Sequence, residues 1–165
     1  MSNKALYVLA GYDKTTELHL SSMQNHLYEH GFIGRHTRNL PQHITLGSFP
    51  TEAESQLVES LRTLSTECSS FEVTFNHIGI FGGANVLFVA PDTNEQLWKL
   101  KERFGDNYNW TPHTTMLIDN PDEIYKALPV VMRSFSAFKG RITSLHLYEF
   151  FPARHILSVD LKINA

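Results

Sequence analysis

The feature that most constrains this chain is a short motif that occurs twice. Residues 41–46 (Pro-Gln-His-Ile-Thr-Leu) and residues 112–117 (Pro-His-Thr-Thr-Met-Leu) each carry a His-x-Thr within an apolar stretch. The two histidines, His43 and His113, are 70 residues apart (113 − 43). Because side chains alternate between the two faces of a strand, each histidine shares a face with the threonine two residues later. Two such strands in matching surroundings predict one site that is assembled from both.

The order of elements around the motif also repeats. Each half of the chain is predicted to form a strand, a helix, the motif strand, a second helix and a further strand, with glycine or proline at the boundaries. The closing hairpin and the duplicated halves favour a mixed α+β arrangement over a parallel sheet. No linker or low-complexity tract separates the halves, so we expect residues 1–165 to form a single domain with two lobes. The predicted strands are 5–10, the segment around His43, 71–80, 86–90, the segment around His113, 140–150 and 155–163, and the predicted helices are 14–30, 52–66, 94–104 and 122–135.

Composition limits the classes of function. The chain has 165 residues, of which 42% are apolar and 19% charged, as in an ordinary globular protein. The net charge of −3 does not provide the broad basic face that nonspecific binding to long nucleic acid requires, although it is compatible with a local basic cleft or a small phosphorylated ligand. The single Cys68 excludes an intramolecular disulfide. With no signal-peptide pattern and no apolar run of membrane-spanning length, we expect a cytoplasmic monomer that does not bind membranes.

Both motifs resemble those of the two-histidine phosphoesterases, a superfamily that includes the bacterial RNA 2′,3′-cyclic phosphodiesterases, also called 2′-5′ RNA ligases. Residues 43–46 (His-Ile-Thr-Leu) are similar to the first family motif, and residues 113–116 (His-Thr-Thr-Met) to the second. The segment 78–89 resembles the entry to the second lobe of the family, and the segment 142–149 resembles its last strands. The resemblance covers nearly the whole chain.

This resemblance implies a bilobal α+β fold with pseudo-twofold symmetry. In known members, two antiparallel-rich sheets line a central cleft, the helices lie outside, and the motif strands face each other across the cleft. The antiparallel arrangement is therefore an expectation that comes from the family and not from the periodicity of the sequence.

The residue types of the motifs suit the hydrolysis of a cyclic phosphodiester. Because histidine titrates near pH 6.5, a neutral imidazole can take a proton from water while a charged one protonates the leaving ribose oxygen. The hydroxyls of Thr45 and Thr115 can donate hydrogen bonds to the phosphoryl oxygens, where charge develops during the reaction. This chemistry requires no metal and no cofactor. The residues alone leave open which of His43 and His113 is the base and which the acid.

Three residues outside the motifs are further candidates for binding substrate. Arg35 and Arg38 lie in the polar loop before the first motif, where they can reach a phosphate or ribose or form an exposed charge cluster. Phe81 follows a glycine-rich turn and can stack on a base or pack in the core.

Other residues near the motifs are expected to have structural roles. Thr114 alternates to the back face of its strand, so we place it outside the site. Trp110 can stack on a base, but core packing is the favoured interpretation. His146 has no motif around it, and we expect it to be structural as well.

The sequence therefore predicts a metal-independent phosphodiesterase acting on a 2′,3′-cyclic phosphate or 2′-5′ linkage. Its partner would be a nucleotide or an RNA terminus that carries the cyclic phosphate, and reverse ligation would use the same residues. Two alternatives stay open. One is a catalytically idle module that binds nucleotides or RNA ends in the same cleft, and the other is a phosphoesterase for a small cyclic-phosphate metabolite.

Overall fold

Four α-helices and seven β-strands follow one another along residues 3–164, the part of the chain that this computed structural model describes. The predicted order of elements is confirmed. Helix α2 starts two residues later than expected because Thr51–Ala53 form a 3-10 turn before it. The strands are β1 (Ala5–Tyr12), β2 (His43–Phe49), β3 (Phe71–Phe81), β4 (Val86–Pro91), β5 (Thr114–Ile118), β6 (Phe138–Phe150) and β7 (Arg154–Asp160), and the helices are α1 (Lys14–Glu29), α2 (Glu54–Glu67), α3 (Glu95–Glu102) and α4 (Pro121–Ser134).

The long strand β6 joins the two halves of the molecule in one antiparallel sheet. The strand order is β2-β1-β6-β3-β4-β5, and β7 also pairs with β6. The C-terminal part of β6 lies between β1 and β7, whereas its N-terminal part pairs with β3. The predicted α+β class and its antiparallel pairing are confirmed. The two expected sheets are two halves of one continuous sheet, because the 13 residues of β6 are enough to run through both.

Local sequence signals explain where the helices begin. Asp13, Asn94 and Asn120 precede α1, α3 and α4, and each side chain accepts a hydrogen bond from the backbone N–H three residues later. Each helix then buries the apolar side chains that recur at three- and four-residue spacing. Among the helices of the described residues, none combines the length and apolar character that crossing a bilayer requires.

The two motif strands, β2 and β5, share an irregularity in their pairing. In β2, the residues on either side of Leu46 pair with neighbouring residues of β1, so Leu46 is an extra residue. In β5, Met116 is extra in the same way against β4. Both side chains are fully buried. A bulge of this kind bends a strand and increases its twist, so the duplication seen in the sequence is also present in the backbone.

Candidate active site

The imidazoles of His43 and His113 make the same backbone contact, with the carbonyl two residues earlier in the chain. The Nδ1 atom of His43 lies 2.7 Å from the carbonyl oxygen of Pro41, and Nδ1 of His113 lies 2.8 Å from that of Thr111. A carbonyl oxygen can only accept, so this partner assigns the hydrogen to Nδ1 in both rings. Nε2 is then the nitrogen that each histidine can use to exchange a proton with a ligand.

The structure brings the two motifs together from opposite ends of the sheet. The hydroxyl of Thr114 in β5 donates to the carbonyl of His43 in β2 at 2.9 Å. The indole N–H of Trp110 donates to the carbonyl of Thr45 at 3.2 Å. Since β2 and β5 are the first and last strands of the order, a sheet whose ends meet in this way must curve strongly.

A cavity of about 270 Å³ adjoins the motif strands. Its lining includes His43, Thr45 and Thr115, which are three of the four predicted motif residues. The ring of Phe150 also lines the cavity and gives it an aromatic side together with Tyr7. Ligand sites in proteins usually measure about 300–1,000 Å³, so this cavity suits a small ligand.

Burial lowers the pKa of both motif histidines. Desolvation is the largest cause for His43 and for His113, and the hydrogen bonds to the carbonyls of Pro41 and Thr111 partly oppose it. A positive charge on His113 lowers the pKa of His43 further, because the two rings are close enough to repel when both are protonated. Both shifts favour the neutral form of the imidazole.

A third histidine, His146, for which the sequence predicts a structural role, lies beside His43. Gly11 of β1 pairs with His43, and a Cβ atom at Gly11 would clash with His146 Nε2 and with Ser144 Oγ. The His146 ring also bonds Ser144 at 3.1 Å and Ser158 at 2.6 Å. Burial, together with charges on His43 and His155, lowers the pKa of His146 to about 4. No local motif marks His146, since its position depends on the pairing of β6 with β1.

Of the three outer candidates, Phe81 contacts a motif residue. Its ring packs edge-on against His113 with 4.7 Å between centroids. The side chain of Arg35 is 74% exposed, and its Nε lies 3.8 Å from the carboxylate of Asp119. Arg38 lies over the ring of Tyr28 at 5.0 Å. Substrate binding by these three side chains stays a prediction.

Sequence reasoning missed three side chains that connect the motifs. Thr114, which strand alternation placed outside the site, is buried and lines the cavity, and its hydroxyl donates to the first motif. Trp110 packs against the core and also bonds to β2. Gln24 of α1 donates to the Met116 carbonyl at 3.1 Å and accepts from the amide of Gln42 at 2.9 Å. These contacts join segments that are far apart in the chain, so neither spacing nor composition could have indicated them.

The described residues offer no cluster with the make-up of a metal centre. Within 3–164, no group of three or more His, Cys, Asp or Glu side chains is placed to hold an ion. The rings of His26, in α1, and of His30, directly after it, are in contact, with 4.5 Å between centroids. Nδ1 of His30 contacts the carbonyl of His26, as in an ordinary helix C-terminus.

Comparison with known proteins relates this geometry to other structures. Escherichia coli LigT complexed with ATP shares 16% identity with this chain at a TM-score of 0.61, and the match covers 96% of this chain and 98% of LigT. TT0787 of Thermus thermophilus shares 12% identity at a TM-score of 0.64, over 98% and 100% of the two chains. At such low identities the likeness shows a common fold. No curated protein matches the sequence.

A family profile supplies the stronger relationship. The profile of the 2′-5′ RNA ligase superfamily matches residues 17–150. The match includes both His-x-Thr motifs and every strand except β1 and β7. The chain belongs to the 2′-5′ RNA ligase superfamily, a group of two-histidine phosphoesterases.

Proposed function

We propose that this protein is a metal-independent phosphodiesterase that hydrolyses 2′,3′-cyclic phosphates or 2′-5′ linkages in nucleotides or RNA ends. The observation that carries the proposal is the matched orientation of His43 and His113, whose Nδ1 atoms are both held by backbone carbonyls. Membership of the superfamily supports it. The relative LigT has been crystallised with ATP and with 3′-AMP, which supports a nucleotide as the ligand.

In the proposed reaction, the two histidines exchange protonation states. Nε2 of the neutral histidine takes a proton from water as the water oxygen bonds to phosphorus. The second histidine, protonated on Nε2 when the anionic substrate arrives, gives its proton to the ribose oxygen as the phosphorus–oxygen bond breaks. One proton is taken and one is returned, and exchange with solvent restores the starting state. The assignment of base and acid decides which ribose oxygen leaves, and protons balance with either assignment.

The threonine hydroxyls are proposed to hold the phosphoryl group. Thr45 and Thr115 both line the cavity, and each can donate one hydrogen bond to a non-bridging oxygen. The side chains that line the cavity in the described part of the chain include no lysine or arginine. A ligand with one negative charge therefore suits this cavity better than a polyphosphate, and a cyclic phosphodiester has this charge.

Turnover of 2′,3′-cyclic nucleotides and of 2′-5′-linked dinucleotides tests the proposal. The wild-type protein is expected to hydrolyse at least one of them in the presence of EDTA. His43→Ala and His113→Ala should lose turnover and keep the fold. His30→Ala serves as the matched control, because it removes an exposed histidine that directly follows α1.

Three results would contradict the proposal. They are loss of activity on chelation, normal rates in His113→Ala, and no turnover of any of these substrates. Binding of a cyclic nucleotide without turnover would indicate the idle binding module instead. Turnover confined to small cyclic-phosphate metabolites would indicate the metabolite phosphoesterase.

A further inference from the structure

Side chains, rather than a backbone ladder, connect the two motif strands. In the described residues, β2 pairs with β1 and β5 pairs with β4, and each lies at an end of the strand order. An outer strand leaves backbone groups that a neighbouring strand could bond. Here the His43 carbonyl accepts from Thr114 at 2.9 Å and the Thr45 carbonyl from the Trp110 indole at 3.2 Å. The width of the gap between β2 and β5 therefore depends on a few side chains.

Thr114 is the central member of this connection. Its side chain is buried, with 1% of the residue exposed. The hydroxyl has one proton, which goes to the His43 carbonyl, so Tyr12 is the donor in the 2.6 Å contact between the hydroxyls of Tyr12 and Thr114. A directed chain of two hydrogen bonds thus runs from β1 through β5 to β2.

We infer that Thr114 is a positioning residue whose hydroxyl sets the spacing between the imidazoles of His43 and His113. The inference rests on the proposed function. His113 directly precedes Thr114, and His43 provides the carbonyl that accepts the bond, so the contact joins the two histidines by a short path. The corresponding residue of the first motif is Ile44, which has no hydroxyl. The connection is therefore made from the second motif alone.

The spacing of the two histidines matters because acid and base must reach one phosphate together. A displacement of about 1 Å at a reacting group can cost about 10²-fold in rate. Loss of the Thr114 bond would leave the Trp110 bond, so we expect β2 and β5 to shift but not to separate.

Two substitutions at position 114 test this inference. Thr114→Val keeps the shape of the side chain and removes the hydroxyl, whereas Thr114→Ser keeps the hydroxyl. With a 2′,3′-cyclic nucleotide, Thr114→Val is expected to lower kcat about 10–100-fold and to change KM by less than about threefold. Thr114→Ser should recover most of kcat.

The control is Thr16→Val. Thr16 is also buried, and its hydroxyl accepts a hydrogen bond from the Arg141 backbone N–H at 3.1 Å, outside the cavity lining. This variant is expected to lower Tm as Thr114→Val does, with kcat and the pH profile unchanged. If both variants lose activity only in proportion to their stability, Thr114 is merely structural and the inference is wrong.

A second readout needs no substrate. NMR titration of the imidazole protons gives the pKa values of His43 and His113, and the protonation of one ring depends on its distance from the other. Wider spacing in Thr114→Val should weaken the repulsion that lowers the pKa of His43, so this pKa should rise. An unchanged kcat and an unchanged titration in folded Thr114→Val would overturn the inference.

The remaining outcomes are also decisive. If the wild-type protein turns over no cyclic nucleotide, the proposed function fails, and the titration still decides whether Thr114 sets the spacing. If Thr114→Val does not fold, Tyr12→Phe removes the donor that orients the Thr114 hydroxyl. It is expected to lower kcat about 2–5-fold at constant KM, by roughly the loss of one weak hydrogen bond. Unchanged kcat in Tyr12→Phe would then count against the inference.

Discussion

The two motif histidines have the same backbone support but different neighbours. Beside His43, the ring of His146 lies over Gly11 and bonds to two serines. Beside His113 are two phenylalanines, Phe81 and Phe88, with 4.7 and 5.2 Å between ring centroids. One histidine therefore has polar surroundings and the other has aromatic surroundings. The comparison shows that a duplicated backbone can place equivalent histidines in unequal environments.

Both halves use a glycine to bring a ring close to the sheet. A Cβ atom at Gly11 would clash with the His146 ring, and one at Gly79 would clash with the Phe88 ring. Gly79 pairs with Phe88 itself, whereas Gly11 pairs in β6 with Ser144, two residues before His146. Both halves thus pack a ring against a glycine, but the ring is a histidine in one half and a phenylalanine in the other.

The largest expected effect tests whether the unequal histidines act as one unit. His43→Ala and His113→Ala should each lower kcat/KM about 10²–10⁴-fold, because each removes either the acid or the base. The double variant should have a kcat/KM only slightly below that of the less active single variant, because the effects of groups that act together are not additive. Steady-state kinetics on one cyclic nucleotide checks this. Multiplicative losses would show that the two histidines act independently.

The second-largest expected effect concerns the hydroxyls of Thr45 and Thr115. Thr45→Val and Thr115→Val remove one donor each and should lower kcat about 10²–10³-fold. Equal losses would mean that the phosphate lies evenly between the strands, and unequal losses would show which side carries more of the developing charge. Ser48→Ala, an exposed residue at the end of β2, is the control. If both valine variants have wild-type kcat, the hydroxyls do not hold the phosphate.

Substituting Gly11 or Gly79 by alanine tests whether the ring beside each glycine is fixed in place. Gly11→Ala and Gly79→Ala should each lower the free energy of unfolding by about 1–3 kcal/mol, because a ring must move. Gly82→Ala is the control, since a Cβ atom at Gly82 would meet nothing within 4 Å. Urea unfolding gives the three values. Equal stability of all three variants would mean that neither ring is fixed in place.

The smallest expected effect is the pH dependence of stability that arises from His146, in the polar surroundings of His43. The pKa of His146 falls from an ordinary 6.5 to about 4 on folding, so the unfolded chain binds more protons between these values. Stability from this group is present above pH 6.5 and is lost as the pH falls toward 4. We expect a loss of about 1–2 kcal/mol, allowing for partial exposure.

Urea unfolding at pH 7.5 and at pH 4.5 measures this loss in the wild-type protein and in His146→Gln. The variant should lose less stability on acidification, because glutamine does not titrate. His30→Gln, which changes an exposed histidine, should behave as the wild-type protein does. A pH dependence that is identical in His146→Gln would contradict the assignment.

The sequence was sufficient for the elements and for the two motif strands, because alternation, helical spacing and capping residues are local signals. The role of β6 was not predictable in the same way. Whether one strand runs through both halves depends on register between segments that are far apart in the chain. His146 and Thr114 were missed for the same reason, since their neighbours belong to other strands.

The candidates chosen by charge alone illustrate a further limit. Arg35 and Arg38 were chosen because cations near a motif can meet a phosphate. In the structure, Arg35 approaches Asp119 and Arg38 covers Tyr28, while His36 and Thr37 between them line the cavity. A long cationic side chain near the surface finds a local partner, and sequence does not show which residue of a loop faces inward.

The extra residue Leu46 has a consequence for how the motif strand β2 is used. Before Leu46, Thr45 pairs with Leu9, and both residues line the cavity. After it, Gly47 pairs with Val8, whose side chain belongs to the core. The parity of the strand therefore changes at the bulge. His43 and Thr45 therefore take up one short stretch of cavity wall, and beyond the bulge Gly47 and Phe49 pair instead with the core residues Val8 and Leu6.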